Sequence, residues 1–138
     1  FILVSLYDTK EVIKYNLKSG QITRIPLPGT AQGPIQLYAT PDSKLLYVAD
    51  QGELLERPVS NEVFVIDISN AKVISTIKVG NKAHGVVVSN DGKTVYVTNS
   101  IDNTVSIIDV APQKVIHTIP VSKGPNGISY WFETGGMP

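Results

Sequence analysis

A spacing of 42 residues recurs across the second half of the chain: Val63 and Val105, Asp67 and Asp109, Val73 and Val115, and His84 and Asn126 are all separated by it. Two copies therefore run in strict register from Glu62 to Ile128. Within one copy, Lys82 to Ser122, four β-branched runs alternate with turn chemistry: Gly85 to Ser89, Thr94 to Asn99, Thr104 to Val110 and Val115 to Val121. Each run is long enough for a strand and too short for a helix. Asn90-Asp91-Gly92, between the first two, favours the positive φ angles of a tight hairpin. One unit thus reads as a four-stranded antiparallel meander.

A repeat of this length with four strands per unit predicts the blade of a β-propeller, an all-β fold. Upstream, Leu45 to Asp50 matches Thr94 to Asn99 at 49, Val4 matches Val48 at 44, and Val12 to Ile22 match Val63 to Val73 at 51. A single insertion of seven residues within Gln51 to Asn61, between the second and third strands of a blade, explains these shifts. With strands named A to D from the ring axis outward, the chain is expected to supply strands B, C and D of one blade over 1–28. Full blades follow over 34–79 and 84–121, then a lone A strand over 127–132 and a tail over 133–138. About three blades are present, and propellers close with roughly four to eight. The expectation is an incomplete ring, finished by the rest of the same polypeptide or by other chains. The two ends are complementary in strand content, since the chain opens with B, C and D and finishes with A. Phe1 falls inside a strand, which suggests a processed or cleaved beginning, and Glu133 to Pro138 reads as a carboxyl end.

Composition narrows the partners. Twelve basic and 12 acidic residues give a formal charge of zero, so nothing announces a polyanion and nucleic acid is not expected. Cysteine is absent, which removes disulfides, thiolate metal sites and cysteine nucleophiles. No apolar run approaches the roughly 18 to 20 residues that a membrane-crossing helix needs. The sequence also lacks a Gly-rich phosphate loop, His-Glu-x-x-His, a Gly-x-Ser-x-Gly elbow and a calcium loop, so no catalytic residues are assigned.

Alternating strand direction gathers the D–A and B–C loops on one face of the ring, where ligands of repeat proteins often sit. His84 and Lys82 (a D–A loop), Asn126 (the next one), and Asp50 and Asn99 (the ends of B strands) are candidate ligand or partner contacts on that face. Glu53, Glu56 and Arg57, in the inserted loop, are further candidates for a partner or a cation, against the plainer expectation of a solvated, partly mobile loop. His84, at the start of an A strand, would face the channel, where an imidazole can ligate a metal or haem. Its register partners are Asn126 and Ile35, so no ring of ligands forms and no cofactor is assigned. His117, in an outer strand, is given no chemical role. Asp67 and Asp109 recur at the ends of C strands, and Asp42 and Asp91 in A–B turns, as caps for backbone amides. Tyr47, Tyr96, Trp131 and Phe132 are assigned to inter-blade packing.

Tyr96-Val97-Thr98-Asn99, preceded by His84 to Lys93 and followed by Asn103 to Asp109, resembles the YVTN β-propeller repeat, with a second copy at Tyr47-Val48-Ala49-Asp50 and Glu62 to Asp67 and a fainter first copy. The resemblance covers nearly the whole chain. It implies a propeller usually of about seven blades, in secreted, periplasmic or cell-surface proteins of bacteria and archaea. It does not imply one activity, because related propellers are binding scaffolds, haem-d1-type reductase domains and lactonases. The expected function is an extracytoplasmic binding module whose loop-rich face takes a protein, a glycan or a small ligand. The alternatives are a redox or hydrolytic enzyme subunit with a cofactor in the channel, and a structural surface-layer or filament component.

Overall fold

The computed structural model describes residues 1–131. Among the described residues, eleven strands form three antiparallel sheets in chain order. The first sheet is β1 (Ile2–Leu6), β2 (Glu11–Tyr15) and β3 (Ile22–Pro26). The second is β4 (Pro34–Ala39), β5 (Leu45–Gly52), β6 (Val59–Asp67) and β7 (Lys72–Lys78). The third is β8 (Ala83–Val88), β9 (Thr94–Asn99), β10 (Thr104–Asp109) and β11 (Lys114–Pro120). The sheets are the three blades of an unclosed propeller, the first one a strand short.

Turn geometry follows the repeat even where turn residues do not. Gly92 and Ser43 hold positive φ (71° and 59°) at matching A–B turn positions, and Gly20, Ala71 and Gln113 do so (74°, 53° and 53°) at matching C–D positions. The Asp-Gly signal reveals the first. Gly20 and the Pro41-Asp42 pair before Ser43 carry turn signals of their own, whereas Ala71 and Gln113 carry none and are identified by the register.

Period-2 alternation sends each sheet's side chains to two neighbours. In blade 2, Leu46, Val48, Phe64 and Ile66 pack with Leu3, Val12 and Ile25 of blade 1. Tyr47, Ala49, Val63, Val65 and Ile77, on the other face, pack with Val86, Val88, Val95, Val97 and Ile108 of blade 3. These two apolar layers are the core. Each lies between blades, so neither exists without its neighbour.

The β6–β7 ladder shifts register between Val65 and Ile66, and the β10–β11 ladder between Ile107 and Ile108. The unpaired residue is Ile74 in one and Ile116 in the other, both about half exposed (51% and 49%) on the outer strand. A bulge of this kind bends the strand that carries it.

Two expectations are corrected. Residues 127–131 carry no strand assignment, because a ladder needs a partner and no B strand lies beside this segment among the described residues. It still occupies an A-strand place. The Asn126 carbonyl accepts from Thr98 Oγ1 at 2.7 Å, Ser100 Oγ donates to the Pro125 carbonyl at 2.6 Å, and the Tyr130 ring stacks on Tyr96 at 5.9 Å. Phe132 and the tail over 133–138 lie outside the described residues. The insertion, in turn, lengthens β5 and β6, which remain paired out to Gly52 and Val59.

Candidate functional site

The loop-rich face is fixed by side chains at the ends of the B strands. Asp50, fully buried at the end of β5, accepts from the amides of Gln32 (2.9 Å) and Gly33 (2.6 Å), which lead into β4. Asn99, fully buried at the equivalent place in β9, accepts from the Gly80 amide (3.1 Å) and donates to Thr104 Oγ1 (3.0 Å) and Ser106 Oγ (2.9 Å). Gly80 must be glycine here, since a Cβ would stand 2.7 Å from that of Asn99. Both residues hold the D–A loops in place through backbone amides, and Asn99 also ties β9 to β10 through Thr104 and Ser106.

A cleft of about 320 Å³ opens on this face between blades 2 and 3. Gln51, Lys82, His84, Ser100, Ile101, Gly124 and Asn126 line it. Six of the seven are repeat equivalents, Gln51 with Ser100, Lys82 with Gly124 and His84 with Asn126, so the cleft is built from three positions used twice. Sequence reasoning picked out His84, Lys82 and Asn126, and the structure brings them together. It passed over Gln51, Ser100 and Gly124 as sites because their pairs share position and not residue type. Their signal was the register itself.

His84 Nδ1 contacts Gln51 Oε1, and Gln51 is 95% buried, being only 5% exposed. With the amide oxygen as acceptor, Nδ1 carries the proton and Nε2 keeps its lone pair. Burial, and then the charge of Lys82, hold the imidazole pKa below its ordinary 6.5, which favours the neutral ring. Lys82, at φ 59°, is ion-paired with Glu53. The lining is therefore hydrogen-bonding and balanced in charge, with Ile101 as an apolar lip (48% exposed).

The inserted loop is solvated at Glu53 to Glu56, as expected, but it is anchored at both ends: Glu53 pairs with Lys82, and Arg57 is half-buried against blade 1. The Arg57 guanidinium donates to the carbonyls of Tyr7 (2.9 Å), Asp8 (3.0 Å) and Gln32 (3.0 Å) and lies over the Tyr7 ring. Tyr7 Oη receives the Leu54 amide at 3.0 Å. The inserted hairpin thus straps blade 2 to blade 1 through Arg57 and to blade 3 through Glu53. The turn needs positive φ at Gly52, Glu53, Leu55 and Glu56, and a Cβ on Gly52 would meet the Pro58 carbonyl at 2.0 Å. Glu56 stays exposed at its tip, beside Leu54 and Leu55 (51% and 64% exposed).

A larger cleft, about 440 Å³, lies where the A–B and C–D turns gather, lined in part by Asp42, Asp67 and Asp91. Its carboxylates are turn caps, as the repeat suggested. Asp42 accepts from Thr40 Oγ1 and the Lys44 amide, Asp91 from Ser89 Oγ and the Lys93 amide, and Asp67 from Asn70. Those hydrogen bonds hold all three pKa values below the usual carboxylate value of 3.8. Asp109 caps the Ala111 amide in the same way, and His117 is exposed on β11. The candidate site is therefore the smaller cleft, whose polar groups face one another across blades. Among the described residues no group of three or more His, Asp or Glu is placed to hold a metal, and no helix is long and apolar enough to cross a membrane.

A family model described as YNCE-like beta-propeller matches residues 53–133. Among solved structures, the chain is similar to hydrazine synthase of Kuenenia stuttgartiensis, with 29% identity and a TM-score of 0.79 over 91% of this chain and 34% of that one. It is also similar to U3-55K, with 19% identity and a TM-score of 0.73 over 88% of this chain and 36% of that one, a likeness of fold alone. The chain spans about a third of the length of both. No curated protein matches it.

Proposed function

We propose that this chain, which belongs to the YNCE-like β-propeller family, is part of an extracytoplasmic binding module that holds a small polar ligand in the cleft between blades 2 and 3. The observation that carries this reading is the convergence of Gln51, Lys82, His84 and Asn126, from three separate segments of the chain, on one cavity of about 320 Å³. A neutral imidazole beside a buried amide, with the one cation already paired, suits a ligand that offers hydroxyls or amides rather than net charge. Ile101 gives such a ligand an apolar edge to lie on. Protein and glycan ligands present that chemistry as well, on side chains or sugar hydroxyls. The extracytoplasmic part of the reading draws on the repeat resemblance.

The test is a binding screen of neutral monosaccharides and short amidated peptides by calorimetry, using wild type and His84→Ala. A ligand bound by wild type and weakened tenfold or more by the substitution, with melting temperature unchanged, supports the reading. Binding indifferent to His84→Ala overturns it.

The 29% identity to a hydrazine synthase favours one further reading, an enzyme subunit with a cofactor at the channel mouth near His84. A visible absorbance band in the purified chain, lost in His84→Ala, would put this reading first.

A further inference from the structure

The chain already holds one planar ring at a joint between blades, and it does so with repeat positions that the cleft shares. Tyr7, Gln51 and Ser100 hold one such position, at or just past the end of a B strand. Gly33, Lys82 and Gly124 hold a second, and Ile35, His84 and Asn126 a third. Hydrogen bonds fix the match. The Gln51 amide donates to the Gly33 carbonyl (2.9 Å) as the Ser100 amide does to that of Lys82 (3.0 Å). Ser5 and Thr98, at equivalent places just before Tyr7 and Ser100, donate to the carbonyls of Ile35 and Asn126, both at 2.7 Å.

Between blades 1 and 2 these positions hold the Tyr7 ring, which is half-buried. Gly33 is its seat, because a Cβ there would collide with Cε2 and Cζ of the ring. The Arg57 guanidinium lies over the ring, 5.2 Å from its centroid. The Tyr7 hydroxyl accepts from the Leu54 amide (3.0 Å) and donates to the Leu54 carbonyl (3.2 Å). A flat contact, a cation over the π face and a paired hydroxyl are what a phenol requires when it leaves water.

In the cleft the same positions carry other residues. Ser100, at the place of Tyr7, brings no ring, and its hydroxyl donates to the Pro125 carbonyl at 2.6 Å. Gly124 repeats the glycine of Gly33. Its φ of 67° does not by itself demand one, since Lys82 holds φ 59° at the same position with a full side chain. Lys82 lines the cleft as a cation balanced by Glu53, and Gln51, His84 and Asn126 bring hydrogen-bonding groups. The cleft therefore keeps the seat and supplies no ring of its own to fill it.

We propose that the ligand of this cleft is a small neutral compound with a planar aromatic ring and an amide or hydroxyl substituent. The ring lies on Gly124, and its N–H or O–H donates to His84 Nε2. This deepens the ligand reading of the cleft and rests on it. A volume of about 320 Å³ is near the lower end of the roughly 300–1,000 Å³ of small-molecule sites, which suits a single ring. A sugar offers the same hydroxyls without the flat face that the glycine seat matches.

Benzamide and 4-hydroxybenzamide, titrated calorimetrically into the wild-type chain beside cyclohexanecarboxamide, separate the flat face from the amide. The aromatic probes should bind at least tenfold more tightly than the saturated one. Ser100→Tyr gives the cleft the ring that Tyr7 supplies at its own joint, so it should remove aromatic binding without lowering the melting temperature. Gly124→Ala, on a backbone that Lys82 shows a side chain can hold, should weaken aromatic binding tenfold, and it decides alone if Ser100→Tyr fails to fold. Equal affinity for the saturated probe, or aromatic binding that survives these substitutions, overturns the proposal. Neutral monosaccharides bound through His84, with no binding of the aromatic probes at millimolar concentration, overturn it and leave the ligand reading in place. Binding of neither class overturns both.

Discussion

Tyr47 and Tyr96 hold the same ladder position and differ in what lies over them. Tyr47 is sealed between blades 2 and 3, its hydroxyl buried without a partner, and burial followed by the charge of Asp109 pushes its pKa up to about 12. Tyr47→Phe keeps the ring and removes the unpaired hydroxyl, so it should stabilise the chain by about 1 kcal/mol in urea denaturation. The folded state holds a proton that the unfolded chain releases near the ordinary value of 10, so this contribution is lost as pH rises from there toward 12. The variant should show a shallower alkaline loss of stability. His84 acts in the opposite sense. Its folded pKa lies below 6.5, so the unfolded chain takes up the proton first, and stability falls as pH drops below that value until the folded ring also titrates. His84→Gln should flatten that limb in melting temperatures taken from pH 7 to 5. A second decline below pH 3.8 belongs to Asp42, Asp67 and Asp91, whose lowered values make their contribution present above that pH and lost beneath it.

Among the elements, the inserted hairpin turns chain length into a clamp. Arg57 reaches three carbonyls in two directions, a geometry that its planar fork can meet and a lysine cannot. Arg57→Lys should cost about 1–2 kcal/mol and speed cleavage after Glu53 and Glu56 by a glutamate-specific protease, read on gels over time. Wild-type cleavage rates in that variant would show that the strap stands without Arg57. An offset of seven residues located the insertion, because spacing counts residues. Whether those residues pair or hang free depends on acceptors in Tyr7, Asp8 and Gln32, remote in sequence. The eleven strands were legible for the opposite reason, since period-2 apolar runs bounded by turn residues are local and the repeat tested each against its copy. The last A strand was misread as a formed strand because a ladder needs a partner, and none lies beside it among the described residues. Asp50 and Asn99 were legible as recurring polar ends on the right face, but not as caps, because the amides they hold lie 17 to 19 residues away.

For the whole molecule, the layered arrangement makes stability a sum of joints, since each apolar layer belongs to two blades at once. Phe64, fully buried in the layer between blades 1 and 2, should cost about 3–5 kcal/mol on truncation to alanine. In hydrogen exchange, blade 1 should lose protection before blade 3 does. The bulged isoleucines on the outer strands set where the array tolerates a change in length. Losing Ile74 or Ile116 would make its ladder continuous and leave every other side chain on its own face. A one-residue deletion within β5 or β9 would turn a whole strand over and exchange one neighbour's contacts for the other's. Bulges also interrupt the innermost strands, between Pro34 and Leu37 and between Ala83 and Val86, so single-residue gains and losses can accumulate on the innermost and outermost strands while the B strands, β5 and β9, stay fixed in length.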